Sequence, residues 1–373
     1  MRYYIIAGEA SGDLHASNLM RALKEHDLQA DFRCWGGDLM LAQGGEIVKH
    51  YRDLAFMGFA EVVLNLRTIV RNIKFCKQDI LQHKPDVLIL VDYPGFNLRI
   101  AEFAKKQGIR VVYYISPQAW AWKESRVKTI RSVVDLMLVI LPFETEFYAK
   151  HNYTVHFVGH PLLDAIASSQ TGATGRDSWL ALNGLDNRPV IALLPGSRKQ
   201  EILTMLPLML KVVPEFSNYQ FVIAAAPSQE LSFYQSIPGV KSLGIVSGQT
   251  YELLRHSHAA LVTSGTATLE AALFKVPEVV CYKGNRISYL IARALIKIRF
   301  ISLVNLIMDR AVVKELIQAD LNSARIIEEL KLVTEGPGRQ KMLSEFNELE
   351  QKLGGPGASQ KAAALIRDFA LKS

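Results

Sequence analysis

The chain has 373 residues, 49% hydrophobic and 21% charged, which excludes a disordered polymer and leaves room for two globular domains. A formal charge of +7 favours anionic partners: phosphates, nucleic acid or an acidic membrane face. The cysteines Cys34, Cys76 and Cys281 have no paired spacing, which argues against a disulfide framework or zinc site and fits a reducing cytosol.

Met1 runs straight into a strand pattern, so no signal peptide is expected, and no apolar run approaches the ~20 residues of a membrane span. Short β-rich runs then alternate with helical patterns. The predicted strands of the first half are Tyr3–Ala7, Val87–Asp92, Val111–Ile115, Leu136–Leu141 and Val155–Phe157, with helices such as Asn97–Lys106 and Glu124–Val133 between them. A polar stretch from Ser168 to Pro189 reads as a linker with one short helical turn near Trp179. The rhythm restarts at Val190–Leu194, Phe221–Ala225, Ala259–Val262 and Glu278–Cys281. From Ser323 onward the pattern is helical, broken at Gly354-Gly355-Pro356-Gly357 before a last helix from about Ala358 to Leu371. This predicts an α/β fold of two domains, 1–167 and 189–353, joined by a linker at 168–188, with parallel sheets and a ligand cleft between them. The terminal segment 354–373 is expected to pack across domains or onto a partner, and a homodimer is the assembly it would allow.

Four stretches carry chemistry. "IAGEASGD" (Ile6–Asp13) turns from strand to helix, yet holds two carboxylates, Glu9 and Asp13, where a phosphate site would be acid-free. Such a turn suits a hydroxyl- or amide-bearing ligand; Ser11 is expected to cap the helix, and Asp13 also fits simple complementation of its dipole. "LVDYPGFN" (Leu90–Asn97) ends an apolar strand in Asp92, whose desolvated carboxylate could act as a general base; Pro94-Gly95 is type II turn chemistry, which by itself favours a plain turn Asp. "LLPGSRKQEI" (Leu193–Ile202) places Gly196, Ser197 and Arg198 at a helix start, where the guanidinium could neutralise a departing phosphate and Ser197 to Gln200 fits a capping box. "TSGTATLEAALF" (Thr263–Phe274) offers Gly265 for close backbone approach, hydroxyls at Thr266 and Thr268, a helix N-terminus for diphosphate, and Glu270 for ribose hydroxyls; an ordinary capped helix fits as well.

Several patterns are missing. G-x-G-x-x-G, G-x-x-x-x-G-K-[ST] and Asp-x-Asp do not occur, and His256 and His258 have no third ligand in view. Between Phe59 and Ile73 the residues Phe59, Val62, Val63, Leu66, Ile69, Val70 and Ile73 share a helical face, flanked by Arg67, Arg71, Lys74 and Lys77. That is a basic amphipathic helix able to lie on an anionic bilayer, although a core-packed helix has the same pattern. A second basic-apolar stretch runs from Lys283 to Arg299, with Arg286, Arg293 and Lys297. No stacking aromatic pattern accompanies the basic residues, so no nucleic acid partner is expected.

In this order across nearly the whole chain, "AGEASGD", "DLAFMGFAEV", "VDYPGFN", "YISPQAWAWKESRV", "LPFE", "FVGHPLLD", "LLPGSR", "SGTATLE" and "SLVNLI" closely resemble the lipid-A-disaccharide synthase family. The resemblance implies a GT-B glycosyltransferase of two Rossmann-like domains that needs no metal or other cofactor. It implies transfer from UDP-2,3-diacylglucosamine to 2,3-diacylglucosamine 1-phosphate, with inversion, giving the β(1→6) disaccharide 1-phosphate and UDP. The work would be done peripherally on the cytoplasmic face of the inner membrane. By the same match Asp92 is the base and Arg198 stabilises the leaving diphosphate. Gly196, Ser197, Ser264, Gly265, Thr266, Glu270 and Asn305 fall on the donor side, and Glu9, Ser11 and Asp13 on the acceptor side. Val62, Leu66, Ile69, Arg67 and Arg71 would touch the membrane. Gly95 departs from the family pattern, where an Asp often stands, so Asp92 is the only carboxylate of its stretch. Rival readings are another GT-B enzyme on a UDP-sugar, such as an epimerase or N-acetylglucosaminyl transferase, and a non-catalytic UDP-sugar or membrane-surface binding protein.

Overall fold

The Val-, Ile- and Leu-rich runs assemble into two separate parallel sheets. The computed structural model describes residues 1–54, 66–122, 124–284 and 299–371. It divides into unit 1, Met1–Ala165 with Leu353–Ser373, and unit 2, Ile166–Lys352. Among the described residues, unit 1 carries strands β1 (Arg2–Ala7), β2 (Asp31–Gly36), β3 (Glu46–His50), β4 (Val87–Val91), β5 (Arg110–Tyr114), β6 (Leu136–Val139) and β7 (His156–Phe157). Their order is β3-β2-β1-β4-β5-β6-β7, with parallel pairing throughout. Unit 2 carries β8 (Val190–Leu194), β9 (Gln220–Ala225), β10 (Gly244–Ser247), β11 (Ser257–Thr263), β12 (Glu278–Tyr282) and β13 (Lys314–Ile317). Their order is β10-β9-β8-β11-β12-β13, again parallel.

Both sheets are covered on both faces, which is why the central strands have no polar side. β4 reads VLILV and β8 reads VIALL, and every residue of both is buried. Alternation sorts β1 between two cores. Tyr3, Ile5 and Ala7 pack with Leu19 and Leu23 of the helix Ala10–His26 and with Ala362 and Ile366 of the helix Ala358–Leu371. Tyr4 and Ile6 pack on the opposite face with Cys76 and Ile80 of the helix Leu66–His83.

Polar anchors fix the outer helices. The Asp79 carboxylate accepts from Tyr4 Oη at 2.7 Å, Arg33 Nε at 2.8 Å and Arg33 Nη2 at 2.6 Å, while Trp35 Nε1 donates to Tyr4 Oη at 2.8 Å. This satisfied network ties the helix Leu66–His83 to β1 and β2. The C-terminal helix docks on unit 1 because the Asp164 carboxylate accepts from the N–H groups of Gly357 at 2.5 Å and Ser359 at 2.7 Å, at that helix's positive end. The stretch 168–188 holds a helix, Arg176–Leu182, whose Trp179 and Leu180 are buried in the unit 2 core against Leu253 and Leu254. Cys34, Cys76 and Cys281 are buried free thiols. Among the described residues no helix is long and apolar enough to cross a membrane.

One core residue is out of place. Glu278, the first residue of β12, is fully buried and neither carboxylate oxygen has a hydrogen-bond partner. Burial pushes its pKa well above the usual carboxylate value. The folded state therefore holds a proton that the unfolded chain releases near pH ~4.3, so Glu278 weakens the fold as pH rises above that value, by up to ~1.4 kcal/mol per pH unit. Glu278→Met should raise the melting temperature at pH 7.5 and flatten its decline between pH 5 and 8. Calorimetry at several pH values checks this, and an unchanged pH profile would show that Glu278 is satisfied in solution.

Candidate active site

In doubly wound sheets ligands bind at the carboxyl ends of the strands where the strand order reverses. Those points lie between β1 and β4 in unit 1 and between β8 and β11 in unit 2. The predicted site residues fall at both.

In unit 1, β4 runs into Asp92 and Tyr93, with φ of 45° and 48°. Two consecutive non-glycine residues in the left-handed region cost energy and persist only where the surroundings hold them. Here the Asp92 carbonyl accepts from Tyr113 Oη at 2.5 Å and Asn97 Nδ2 at 2.7 Å, and the Asp92 N–H donates to the Tyr114 carbonyl at 3.2 Å. Tyr113 and Asn97 are themselves fully buried. The expected Pro94-Gly95 turn does not form. Pro94 opens the helix Pro94–Lys106, where its missing N–H costs nothing. The bend is made one step earlier by the left-handed pair. A Cβ on Gly95 would meet nothing within 4 Å, so the missing second carboxylate is a matter of sequence and not of space.

Asp92 is half-buried, and burial, reinforced by the charge of Glu9, pushes it up to about 6. Glu9 follows the neighbouring strand β1. Gly8 must be glycine because a Cβ would lie 2.4 Å from the Tyr93 ring, which rests on this turn. The helix begins at Ala10 with Glu9 as its N-cap residue, so Ser11 is an exposed first-turn residue and not the expected cap. Asp13 is 3% exposed and internally engaged: its carboxylate accepts from the N–H groups of Gly37 at 2.7 Å, Leu39 at 3.1 Å and Met40 at 3.2 Å, capping the helix Asp38–Ala42. It therefore caps a neighbouring helix while standing, as expected, in the first turn of its own.

In unit 2, Gly196, Ser197, Ser264, Gly265, Thr266 and Glu270 line one cavity of about 260 Å³. Gly196 has φ of 108°, and a Cβ there would lie 2.1 Å from Glu201 Oε2. Glu201 explains the correction to the capping box. The N-cap of the helix Lys199–Leu210 is Arg198, and Glu201, not Gln200, reaches back to accept from the Ser197 N–H at 3.1 Å. Arg198 is thus exposed at a helix start directly beside the cavity wall. Gly265 caps the helix Thr266–Leu273, whose first-turn N–H groups face outward from its positive end. Glu270 is pushed up to about 7 by burial, with Tyr251 Oη donating to it at 3.4 Å.

Asn305 lies inside unit 2. It is 1% exposed, its Nδ2 donates to the Val313 carbonyl at 2.8 Å and to Glu315 Oε1 at 2.9 Å, and its Oδ1 accepts from the N–H groups of Val312 and Val313. Every bond its amide can make is used inside unit 2. Its influence on the cavity is indirect. Glu315 also accepts from the Ile301 N–H, and the Ile301 carbonyl accepts from Ser264 Oγ at 3.1 Å. Thr263, unremarked in the sequence, lines the cavity with a buried Oγ1 that has no protein partner. Its signal was its place as the last residue of an apolar strand. A larger hollow of about 940 Å³ lies at the other end of this sheet, beside Gln220 and Gly244, and holds none of the predicted groups.

The two histidines that lacked a third ligand in the sequence are engaged with backbone: His256 Nε2 lies 2.9 Å from the Thr174 carbonyl and His258 Nε2 lies 2.8 Å from that of Thr334. Phe59, Val62 and Val63 lie outside the described residues, as does the stretch containing Arg286, Arg293 and Lys297. The described part of the amphipathic segment starts at Leu66. There Arg67, Arg71 and Lys74 are exposed beside Val70 at 60% and Phe75 at 44% exposure, with Ile69 half-buried. Lys77 instead covers the Phe103 ring at 5.2 Å.

Comparison with known proteins gives this geometry its context. Over 99% of the chain it is 40% identical to the lipid-A-disaccharide synthase of Syntrophus aciditrophicus, covering 98% of that protein. Over 97% it is 40% identical to that of Nitrosococcus oceani, covering 94%. Among solved structures, a putative UDP-N-acetylglucosamine 2-epimerase from Listeria monocytogenes matches 100% of the chain and 97% of its own at a TM-score of 0.69 and 13% identity. The UDP-GlcNAc 2-epimerase of Neisseria meningitidis bound to UDP-GlcNAc matches all of both chains at 0.65 and 14%. At those identities the structures share the fold, an α/β arrangement of the GT-B kind. The family model described as lipid-A-disaccharide synthetase matches residues 3–368, and the chain belongs to that family.

Proposed function

We propose that the chain joins UDP-2,3-diacylglucosamine to 2,3-diacylglucosamine 1-phosphate, forming the β(1→6) disaccharide 1-phosphate and releasing UDP. The full-length family match carries this reading, and the gathering of Gly196, Ser197, Ser264, Gly265, Thr266 and Glu270 in one cavity at a switch point supports it. The acceptor's 6-hydroxyl oxygen attacks C1 of the donor, the C1–O bond to diphosphate breaks, and the configuration inverts. Asp92 takes the hydroxyl proton. Its value of about 6 leaves it ionised at neutral pH yet more basic than an ordinary carboxylate. Charge builds on the departing diphosphate, which the Thr266 helix N-terminus and Arg198 stabilise. Gly265 lets the phosphates approach the backbone, and Glu270 accepts from the ribose hydroxyls. Glu9 and Ser11 face the acceptor, while Asp13 holds the neighbouring turn.

Both substrates carry acyl chains, so the enzyme must work at a membrane surface. Arg67, Arg71, Lys74, Val70 and Phe75 form an exposed basic-apolar face suited to an anionic bilayer. We place the enzyme peripherally on the cytoplasmic face of the inner membrane.

The direct test is to incubate the purified protein with both diacylated sugars in detergent and seek UDP and tetra-acyl disaccharide 1-phosphate by mass spectrometry. Equal amounts of both support the reading, and UDP without disaccharide removes the acceptor. In the same assay Asp92→Asn should abolish disaccharide formation, leave UDP affinity intact and raise the melting temperature, because Asn tolerates the left-handed region and carries no desolvated charge. Near-normal turnover in that variant would end the base assignment.

UDP binding should weaken as pH falls through about 7, because Glu270 must be ionised to accept both ribose hydroxyls. Calorimetric titrations at pH 6 and 8 should differ for the wild type and agree for Glu270→Gln. For the membrane face, joint replacement of Val70, Arg71 and Phe75 by Ser should release the folded protein from anionic vesicles in a sedimentation assay. Retained binding, with circular dichroism unchanged, would place the contact elsewhere.

A further inference from the structure

Glu144 is 1% exposed and lies in the first turn of the helix Glu144–Ala149, just after β6. Its carboxylate accepts from the N–H groups of Leu141 at 2.9 Å and Ile140 at 3.2 Å, and from the hydroxyl of Ser116. Tyr148 Oη donates to the same Ser116 Oγ at 3.4 Å. Burying a carboxylate is costly, and burial pushes this one up to about 7. A neutral Ser or Asn would cap a short helix at less cost.

What the carboxylate secures is the end of β5. Ile115 there has φ of 65°, an outlier for a β-branched residue. The two residues before it are the ones that hold Asp92: Tyr113 through its hydroxyl and Tyr114 through its carbonyl. Two strained turns, Asp92–Tyr93 and Ile115–Ser116, therefore end adjacent strands, and the second is braced from β6 by Glu144.

We propose that Glu144 is a positioning residue for the transfer step, holding the left-handed turn at Ile115 through Ser116 and thereby fixing Asp92 against the acceptor hydroxyl. This rests on the assignment of Asp92 as base. Glu144 is enclosed by protein and acts only through its neighbours.

The test compares kcat, KM for each substrate, UDP affinity and melting temperature in wild type, Asp92→Asn, Ser116→Ala, Glu144→Ala and Glu144→Gln. Ser116→Ala and Glu144→Ala should each lower kcat on the order of ~10- to 100-fold, the scale of a misplaced reacting group, with UDP affinity unchanged. Their combination should be no worse than the more damaging single change, because both break one link. Glu144→Gln should recover most of kcat, since its amide can accept from Leu141 and donate to Ser116 Oγ. Wild-type kcat in Ser116→Ala overturns the proposal, and that variant, which loses only a hydroxyl, decides the matter if Glu144→Ala fails to fold. An inactive Asp92→Asn beside a normal Ser116→Ala removes the brace alone. An active Asp92→Asn removes the base assignment and the brace together.

Discussion

The clamp on the Asp92 carbonyl is the interaction on which the turn at the end of β4 depends. Left-handed backbone costs a non-glycine residue roughly 1–2 kcal/mol, and Asp92 and Tyr93 adopt it in succession. Neither would stay there without Tyr113, Asn97 and the Tyr114 carbonyl. The strain turns a carboxylate out of the end of an all-buried strand while keeping it close to apolar walls and to Glu9. That is the condition for a carboxylate that is ionised at neutral pH but still basic.

The two units meet the same topological opportunity with different materials. In unit 1 the switch point is acidic and strained, which suits removal of a proton from a neutral hydroxyl. In unit 2 it is glycine-rich at Gly196 and Gly265, opens onto a helix N-terminus and has Arg198 beside it. That arrangement suits an anionic leaving group. Glu270 is the exception, a carboxylate in a phosphate-friendly site, and its partial desolvation makes its charge sensitive to pH near neutrality. The acids of the Ile6–Asp13 turn, where a phosphate-binding turn would have none, have local partners: Asp13 caps the helix Asp38–Ala42, and the charge of Glu9 acts on Asp92.

Much of this was legible in the sequence because the central strands are buried on both faces and read as unbroken apolar runs. β4, β8 and the helix Ala358–Leu371 stand where their patterns put them. The strands that escaped were the polar ones. β2 begins Asp-Phe-Arg, the edge strand β3 has no fully buried residue, and the edge strands β10 and β13 span four residues each. The stretch 168–188 looked like a linker because its one anchor, Trp179, sits among polar neighbours. Residue type alone does not fix local capping: Ser11 and Ser197 are good caps in general, yet Glu9 and Arg198 occupy the N-cap positions, and Glu201 takes the back-bond. The internal bonds of Asn305 and Asp13 join residues separated along the chain, so only the folded chain reveals them. Strain has no sequence signal at all, so Ile115 and the role of Glu144 could not be read from the chain.

A strained, desolvated Asp92 should be basic before any substrate arrives. The direct measurement is a pH titration of the Asp92 carboxyl by carbon-13 NMR on aspartate-labelled protein, with Asp92→Asn identifying the resonance. A midpoint near 6 is expected. A midpoint at the ordinary aspartate value of ~3.9 would contradict it, because the clamp would then hold the residue in place without making it a base.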